Sequence, residues 1–491
     1  MGVNRKKYRM GRMLTGGVTP ALLASALLYF TLLQCRHFDP AAQAAGICRE
    51  LIAGTTAGRQ ALFGSCWVAP LHILFYLPFS WLFSEPLAGR AAFWVAWFFV
   101  FWSVREALKS AGQNVLKTIM AQAAIAALSV CASNTELLQT GTALTVGLVL
   151  LCASSVADWT ARRSLRDVVS AAAACAFLAM CGFNVLGFAC ISAALLPITA
   201  LGHRETRQRF QAWLLLGWLP LVYTLGVWML LNRLVLGDAL FFLRSIRFLT
   251  PDSCQFLTML VAPAIIMLPA LALTWWIDSR AEAPGAGSVA ATATLISMAV
   301  MLIACAKVFT WYNIAWTEAV LYSCALSLMI VAVARLRQPA YRSCLSLALI
   351  VWLSNAWFAR DVAQDDSAAR TKIIGEVEAY VNSATPYGRV FVLGYTGLDL
   401  LRDYDGKLLM PNLDLHIGSL RRDYKGQELY LLVPRPDGRA RAESVFWKHP
   451  DIYQLGADRL LYAGTFGSWR LFQVVSAPTQ EQLEEWRRMR N

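Results

Sequence analysis

The first residue placed to do chemistry is Asp39, in "RHFDPAAQAAGICREL" at 36–51, directly after the first apolar run. A carboxylate at the mouth of an apolar helix could accept a proton from an attacking hydroxyl. Partial desolvation there raises a carboxyl's pKa toward that role. Asp before Pro40 is also a good helix start, the acid capping and the proline in the first turn, so both roles stay open. Two cationic sets accompany it. Arg244 and Arg247 fall in "GDALFFLRSIRF", and Lys307 falls in "CAKVFTWYNIAWTEA". Guanidinium groups bind phosphates in bidentate fashion, but long cationic side chains at helix ends also snorkel to a lipid surface. Lys307, beside several aromatics, could hold a phosphate or anchor its helix. Asp238 reads as a helix cap, Glu318 as a cap or a pair for Lys307, and His416 and His449 as surface or structural residues. Together the residues suggest an acid that receives a proton and cations that neutralise an anionic headgroup.

The elements that must position these groups are apolar helices. The 491 residues are 57% hydrophobic and only 15% charged, against about 25% charge in soluble domains. Apolar runs of membrane-crossing length recur at about 14–34, 67–83, 88–104, 114–132, 140–157, 168–182, 184–201, 212–234, 256–277, 289–307, 316–334 and 343–359. The basic start "MGVNRKKYRMGR" has no evident small-residue cleavage site after it, so the first run reads as a retained helix. The reading is a polytopic α-helical membrane protein of the cell inner (plasma) membrane. All of the +13 net charge lies before residue 360, where 26 of the 44 Lys/Arg and 13 of the 31 Asp/Glu are found. Such charge reports orientation in a membrane protein, and a nucleic-acid partner is not expected.

Basic clusters at the N-terminus, Arg105/Lys109/Lys117, Arg162/Arg163/Arg166, Arg204/Arg207/Arg209 and Arg335/Arg337/Arg342 mark the cytoplasmic side. One parity conflict follows. Asp39 outside and Arg105 inside cannot be joined by two crossings, so "WVAPLHILFYLPFSWLF" (67–83) is expected not to cross. Its Pro70 and Pro78 favour a broken or interfacial segment. That gives 11 crossings; 13, with one crossing unrecognised, is the alternative. Either way the N-terminus is cytoplasmic, and loop 35–66 and the C-terminal part face the periplasm or exterior.

From residue 360 the composition changes, and 360–491 reads as a small extracytoplasmic α/β domain. "SAARTKIIGEVEAYVNSA" is expected to be a helix with Ile373, Ile374, Val377 and Val381 on one face. "RVFVLGY" and "ELYLLVPR" read as buried strands, "TGLDLLRDY" and "ARAESVFWKHP" as helices, and "RLLYAGTFGSWRLFQVV" as a hairpin. The domain has no Gly-rich phosphate loop. It could be a lid, a docking module for an acceptor, or a stabilising appendage. The 12 cysteines stop at Cys344 and show no metal-ligand spacing. Cys48 and Cys66 could pair outside.

These pieces, in order over about residues 1–360, resemble the GT-C superfamily of membrane glycosyltransferases that use polyprenyl-phosphate sugars. Protein mannosyltransferases and the lipid A aminoarabinose transferase are the nearest in kind. The resemblance rests on "HFDPAAQAAGICRELIAG", "WVAPLHILFYLPFSWLF", "VWMLLNRLVLGDALFFLRS", "AKVFTWYNIAWTEAVLYSCALSLMI", and the helix pair "DWTARRSLRDVVSAAAACAFLAMCGFNVLGFACISAALLP" between them. It implies a GT-C-like domain over 1–359, with 360–491 in the place of the family's extracytoplasmic domain. It implies transfer of a sugar from a polyprenyl-phosphate donor to a lipid, glycan or protein acceptor, with inversion at the anomeric carbon. Asp39 would be the base, and Lys307 with Arg244 or Arg247 would neutralise the leaving phosphate. The chain departs from the family pattern where many members carry a second acid. Pro40 stands in one such place and "LFGSCWVAP" in another; Glu50 would be the substitute. A single carboxylate is a poor divalent-cation site, so the resemblance gives no firm metal. Two other classes compete: a transporter or flippase of a lipid-linked or anionic solute, and a non-catalytic membrane assembly protein. A transporter is expected to carry ionisable residues at mid-bilayer, whereas here they cluster at span ends.

Overall fold

The computed structural model describes residues 18–30, 42–54, 56–64, 69–84, 87–131, 139–162, 164–200, 208–240, 315–335, 340–358, 367–385, 388–401, 404, 406–412, 427–436, 445–446, 449, 451–456 and 459–475. The helical part comprises α1 (Val18–Phe30), α2 (Ala42–Ile52), α3 (Thr56–Gly64), α4 (Pro70–Leu82), α5 (Leu87–Ser110), α6 (Val115–Cys131), α7 (Thr140–Arg162), α8 (Leu165–Ala179), α9 (Phe183–Ala200), α10 (Phe210–Leu236), α11 (Ala315–Arg335) and α12 (Ala340–Phe358). Among the described residues, three helices are long and apolar enough to cross a membrane: Leu87–Ser110, Thr140–Trp159 and Phe210–Leu236. The expected spans 256–277 and 289–307 lie outside the described residues.

Specific contacts fix the direction of each helix, taking the end where α7 begins as upper. Gly147 of α7 approaches the Phe99 ring of α5 so closely that a Cβ would meet it at 2.5 Å. At the lower end, Gln113, just past α5, donates to the Arg335 carbonyl at 2.8 Å, and Arg335 binds Asp158 near the end of α7. So α5, α7 and α11 run parallel and finish together. The Cys152–Cys175 contact (3.5 Å) and the Ser155–Ser170 bond (3.1 Å) run α8 back beside α7. Trp159 donates to Leu196 O and packs on Trp213, ring centroids 4.7 Å apart, so α9 ends and α10 begins at the lower end. At the other end of α10, Trp228 reaches the carbonyl of Phe63 at the close of α3. The basic groups Arg105, Lys109, Arg162 and Arg335 thereby share the lower end.

Helix α4 does not follow this alternation. Its 13 residues extend about 20 Å at 1.5 Å each, short of the roughly 30 Å hydrocarbon core. Pro70 occupies its first turn and Pro78 sits inside it. His72 meets Thr145 near the start of α7, and the Leu71 N–H donates to Met180 O just past α8, so α4 begins at the upper end. The next long helix starts at Leu87, and its parallel run with α7 puts that start at the upper end too. The start of α4 and the start of α5 therefore lie at one end of the bundle.

The C-terminal part is a five-stranded sheet with helix α13 (Ser367–Ala384) on one face. Its strands are β1 (Arg389–Leu393), β2 (Leu409–Asn412), β3 (Leu429–Pro434), β4 (Leu460–Phe466) and β5 (Trp469–Val474), ordered β2-β1-β3-β5-β4. The first three are parallel; β5 and β4 add antiparallel through a turn at Gly467, whose φ of 58° suits glycine. Val377 and Val381 of α13 pack on Val390, Val392, Leu432 and Leu471. The other face holds Phe391, Leu431, Phe472 and Ile452 of the short helix α15 (Ile452–Leu455). Helix α14 (Gly394–Leu400) follows β1.

Candidate active site: the α2–α4 end of the bundle

Four of the residues with a chemical role suggested by sequence, Asp39, Arg244, Arg247 and Lys307, lie outside the described residues, as do His416 and Cys66. What is described includes segments that adjoin some of them in sequence. Asp39 is three positions before Ala42, the first residue of α2, so it lies within about 11 Å of that helix start by the reach of an extended chain. Asp238 follows the close of α10, where Gly237 at φ 76° ends the helix and caps Arg233 O. Asp238 accepts a hydrogen bond from the Leu240 N–H at 3.1 Å, a local turn that agrees with its reading as a cap.

Helix α2 forms because its alanines, Ile47 and Leu51 give one apolar stripe. Ala44, Ala45, Ile47 and Cys48 bury that stripe against Ile73 and Tyr76 of α4 and Ala88 and Ala92 of α5. The Cys48 thiol donates to the Ile73 carbonyl at 3.6 Å; Cys66, its suggested disulfide partner, lies outside the described residues. Glu50 sits half-buried on α2 where α3 crosses it. The crossing is close: a Cβ at Gly58 would lie 2.6 Å from the Glu50 carbonyl carbon and the Leu51 nitrogen. Only glycine lets the two backbones meet there.

Comparison with known proteins adds little here. No protein-family model and no curated protein matches the chain. Among solved structures, the crystal structure of ArnT from Cupriavidus metallidurans in the apo state is 12% identical, with a TM-score of 0.49, covering 95% of this chain and 100% of that one. A likeness this loose carries no assignment of activity.

Three polar groups at this end carried no recognisable sequence signal. His72, buried, makes a 3.0 Å hydrogen bond with the Thr145 hydroxyl, which itself donates to Gly141 O. Its ring fills the space beside Gly141, where a Cβ would meet Nδ1 at 2.5 Å. Asn232 is fully buried on α10; its amide donates to Trp228 O, while its Oδ1 finds no partner among the described residues. Arg49, one residue from Glu50, donates to the carbonyl of Tyr404 in the C-terminal part at 3.1 Å. A lone histidine in an apolar run and an asparagine inside a long apolar helix look like noise in sequence. Only their partners, 73 residues away for His72, give them meaning.

The described residues hold no group of three or more His, Cys, Asp or Glu arranged to bind a metal ion. In the sheet part, His449 is half-buried; its amide donates to Val445 O and its carbonyl accepts from Ile452, a turn-forming role. Burial raises the phenols of Tyr404 and Tyr430 above their ordinary range, and for Tyr404 the hydrogen bond to Glu378 adds to this.

Proposed function

We propose that this chain is a GT-C-like membrane glycosyltransferase, moving a sugar from a polyprenyl-phosphate donor to a lipid, glycan or protein acceptor at the upper end of the bundle. That end is the periplasmic or outer face of the inner membrane, and Asp39 is the general base. One observation carries the reading. Segments far apart in sequence converge there: α2, the short α4, α3 bonded to the end of α10, and the α14 region of the sheet part. A helix set at the end of a bundle, adjoining in sequence an acid and the segment that carries Arg244 and Arg247, suits a reaction between a lipid-borne donor and an acceptor arriving from water.

The chemistry asks little more of the protein. Asp39 takes the proton of the acceptor hydroxyl as its oxygen attacks the anomeric carbon, and polyprenyl phosphate leaves from the opposite side. Lys307 with Arg244 or Arg247 neutralises the charge that grows on the departing phosphate. Glu50, half-buried on α2, is a further candidate for binding the substrate.

The test is the lipid that co-purifies with Asp39→Asn, compared with wild type by mass spectrometry. Removing the base while keeping the shape should trap a sugar-charged polyprenyl phosphate that wild type has consumed. A lipid-linked solute found equally in both proteins would overturn the assignment of Asp39 and favour a carrier.

A further inference from the structure

We infer that the lower end of the bundle carries a phosphate-binding site centred on Arg335, fitted to the headgroup of an anionic phospholipid. The observation behind it is a buried cation with more donors than partners. Arg335 closes α11, and its side chain is only 4% exposed. Nη2 donates to Asp158 Oδ1 at 2.8 Å. Nε and Nη1 have no hydrogen-bond partner among the described residues, so three N–H groups of a charged guanidinium stand unanswered. Buried donors are nearly always paired, and an unpaired donor on a charged group costs more than a neutral one.

The neighbouring acids do not supply the acceptor. Asp158 divides its two oxygens between Arg335 and Arg162. Asp167, in the first turn of α8, lies in the field of Asp158 and of the cations Arg162 and Arg166. Three arginines thus face two carboxylates, and the cluster keeps one positive charge. A water molecule would accept one N–H and leave that charge in place; an oxyanion answers both. Phosphate fits best, because its several oxygens can accept from more than one nitrogen of a guanidinium. Helix α8 also begins here, and Ser164 at its N-cap makes no side-chain cap bond, so its first backbone N–H groups favour an anion as well.

The position of the cluster points to the source of the phosphate. It lies where α7 and α11 finish and α8 starts, at the end that the basic clusters assign to the cytoplasm. Arg162, with a side chain 49% exposed, forms its open side. The headgroup layer meets a bundle of apolar helices at such an end, and basic pockets between helices on the cytoplasmic side take anionic headgroups. Arg162 meets the phosphate first, and Arg335 anchors it.

The experiment uses the full-length protein in a neutral detergent. Its thermal midpoint is titrated with phosphatidylglycerol, with phosphatidylcholine, whose choline cation offsets its phosphate, and with inorganic phosphate, to give a dissociation constant for each. Wild type should prefer phosphatidylglycerol to phosphatidylcholine by about tenfold, the worth of one charge-assisted hydrogen bond. Two variants remove the donors by different routes. Asp158→Leu/Arg335→Met leaves the net charge as it was, and Arg335→Gln keeps a donor for Asp158. Both should lose the preference. Arg342→Gln removes a cation that stacks on Tyr341 at the start of α12, outside the cluster, and should bind as wild type does. A general attraction of lipid to a basic surface predicts the reverse, with loss in Arg342→Gln and none in the double variant. That reverse pattern, or a wild type with no preference, overturns the inference. A midpoint raised by inorganic phosphate in wild type but not in the Arg335 variants shows a site open to any phosphate; a response to phosphatidylglycerol alone makes the lipid its ligand. Either result upholds the site.

Discussion

Replacing Asp158 should cost more stability than any other single charge change in the described bundle. Asp158, on α7, binds Arg335 at 2.8 Å and Arg162 at 2.7 Å. The two arginines differ in one respect that decides the outcome. Arg335 has a side chain only 4% exposed, while that of Arg162 is 49% exposed. Of the guanidinium nitrogens of Arg335, Nε and Nη1 find no hydrogen-bond partner among the described residues, and Nη2 depends on Asp158. In Asp158→Leu, Arg162 can turn to water and loses about 1 kcal/mol or less. Arg335 cannot, and an uncompensated buried charge costs about 3–5 kcal/mol. Arg162→Gln should therefore shift the thermal midpoint little and Asp158→Leu strongly. The double variant Asp158→Leu/Arg335→Met removes both buried charges and should recover most of the loss, because a buried pair replaced by apolar groups is near neutral. The assay is thermal unfolding of the detergent-purified chain followed by far-UV circular dichroism, with wild type, Asp158→Leu, Arg335→Met and the double variant treated as a double-mutant cycle and Arg162→Gln measured beside them. The reasoning fails if Asp158→Leu melts with wild type, or if the double variant loses the sum of the two single losses.

Other outcomes follow from the same kind of geometry. Gly58→Ala would set a methyl 2.6 Å from the backbone of α2, so α2 and α3 must part at a cost of about 1–3 kcal/mol; amide exchange should rise in 42–52 and 56–64, and unchanged exchange would show that the crossing is loose. Burial, with Glu378 or Glu428 adjoining, raises the phenols of Tyr404 and Tyr430 above the ordinary value of 10.0. A raised phenol stabilises the fold fully below the unfolded-state value and loses that contribution as pH climbs through the folded one. The sheet part should therefore loosen above about pH 10, read as lost exchange protection in β1 and β3; Tyr404→Phe should lessen the change, and an equal change would exclude Tyr404 as a source.

Much of this architecture could be read directly from the order of residues. A run of apolar residues has few ways to satisfy its backbone except as a helix, so the stretches at 88–104, 140–157 and 212–234 became α5, α7 and α10. The helix at 367–384 was legible from Ile373, Ile374, Val377 and Val381, and the hairpin closing at Gly467 from alternation and glycine. The two prolines of 67–83 were enough to expect an interrupted segment, and α4 is a 13-residue helix with Pro70 in its first turn and Pro78 inside it. Strand β2 was missed because "LMPN" is four residues with a proline and no alternation; it is a strand only because β1 lies beside it. Asp158 and Arg335 each looked like an ordinary charge at a helix end. Their pairing across 177 residues exists only because α7 and α11 run parallel and finish together. The same holds for Arg49 with Tyr404 and His72 with Thr145. Local sequence sets which segments are helices, since hydrogen bonding and periodicity act over a few residues. Which polar groups face one another is decided by the packing of whole helices, a property no short stretch contains.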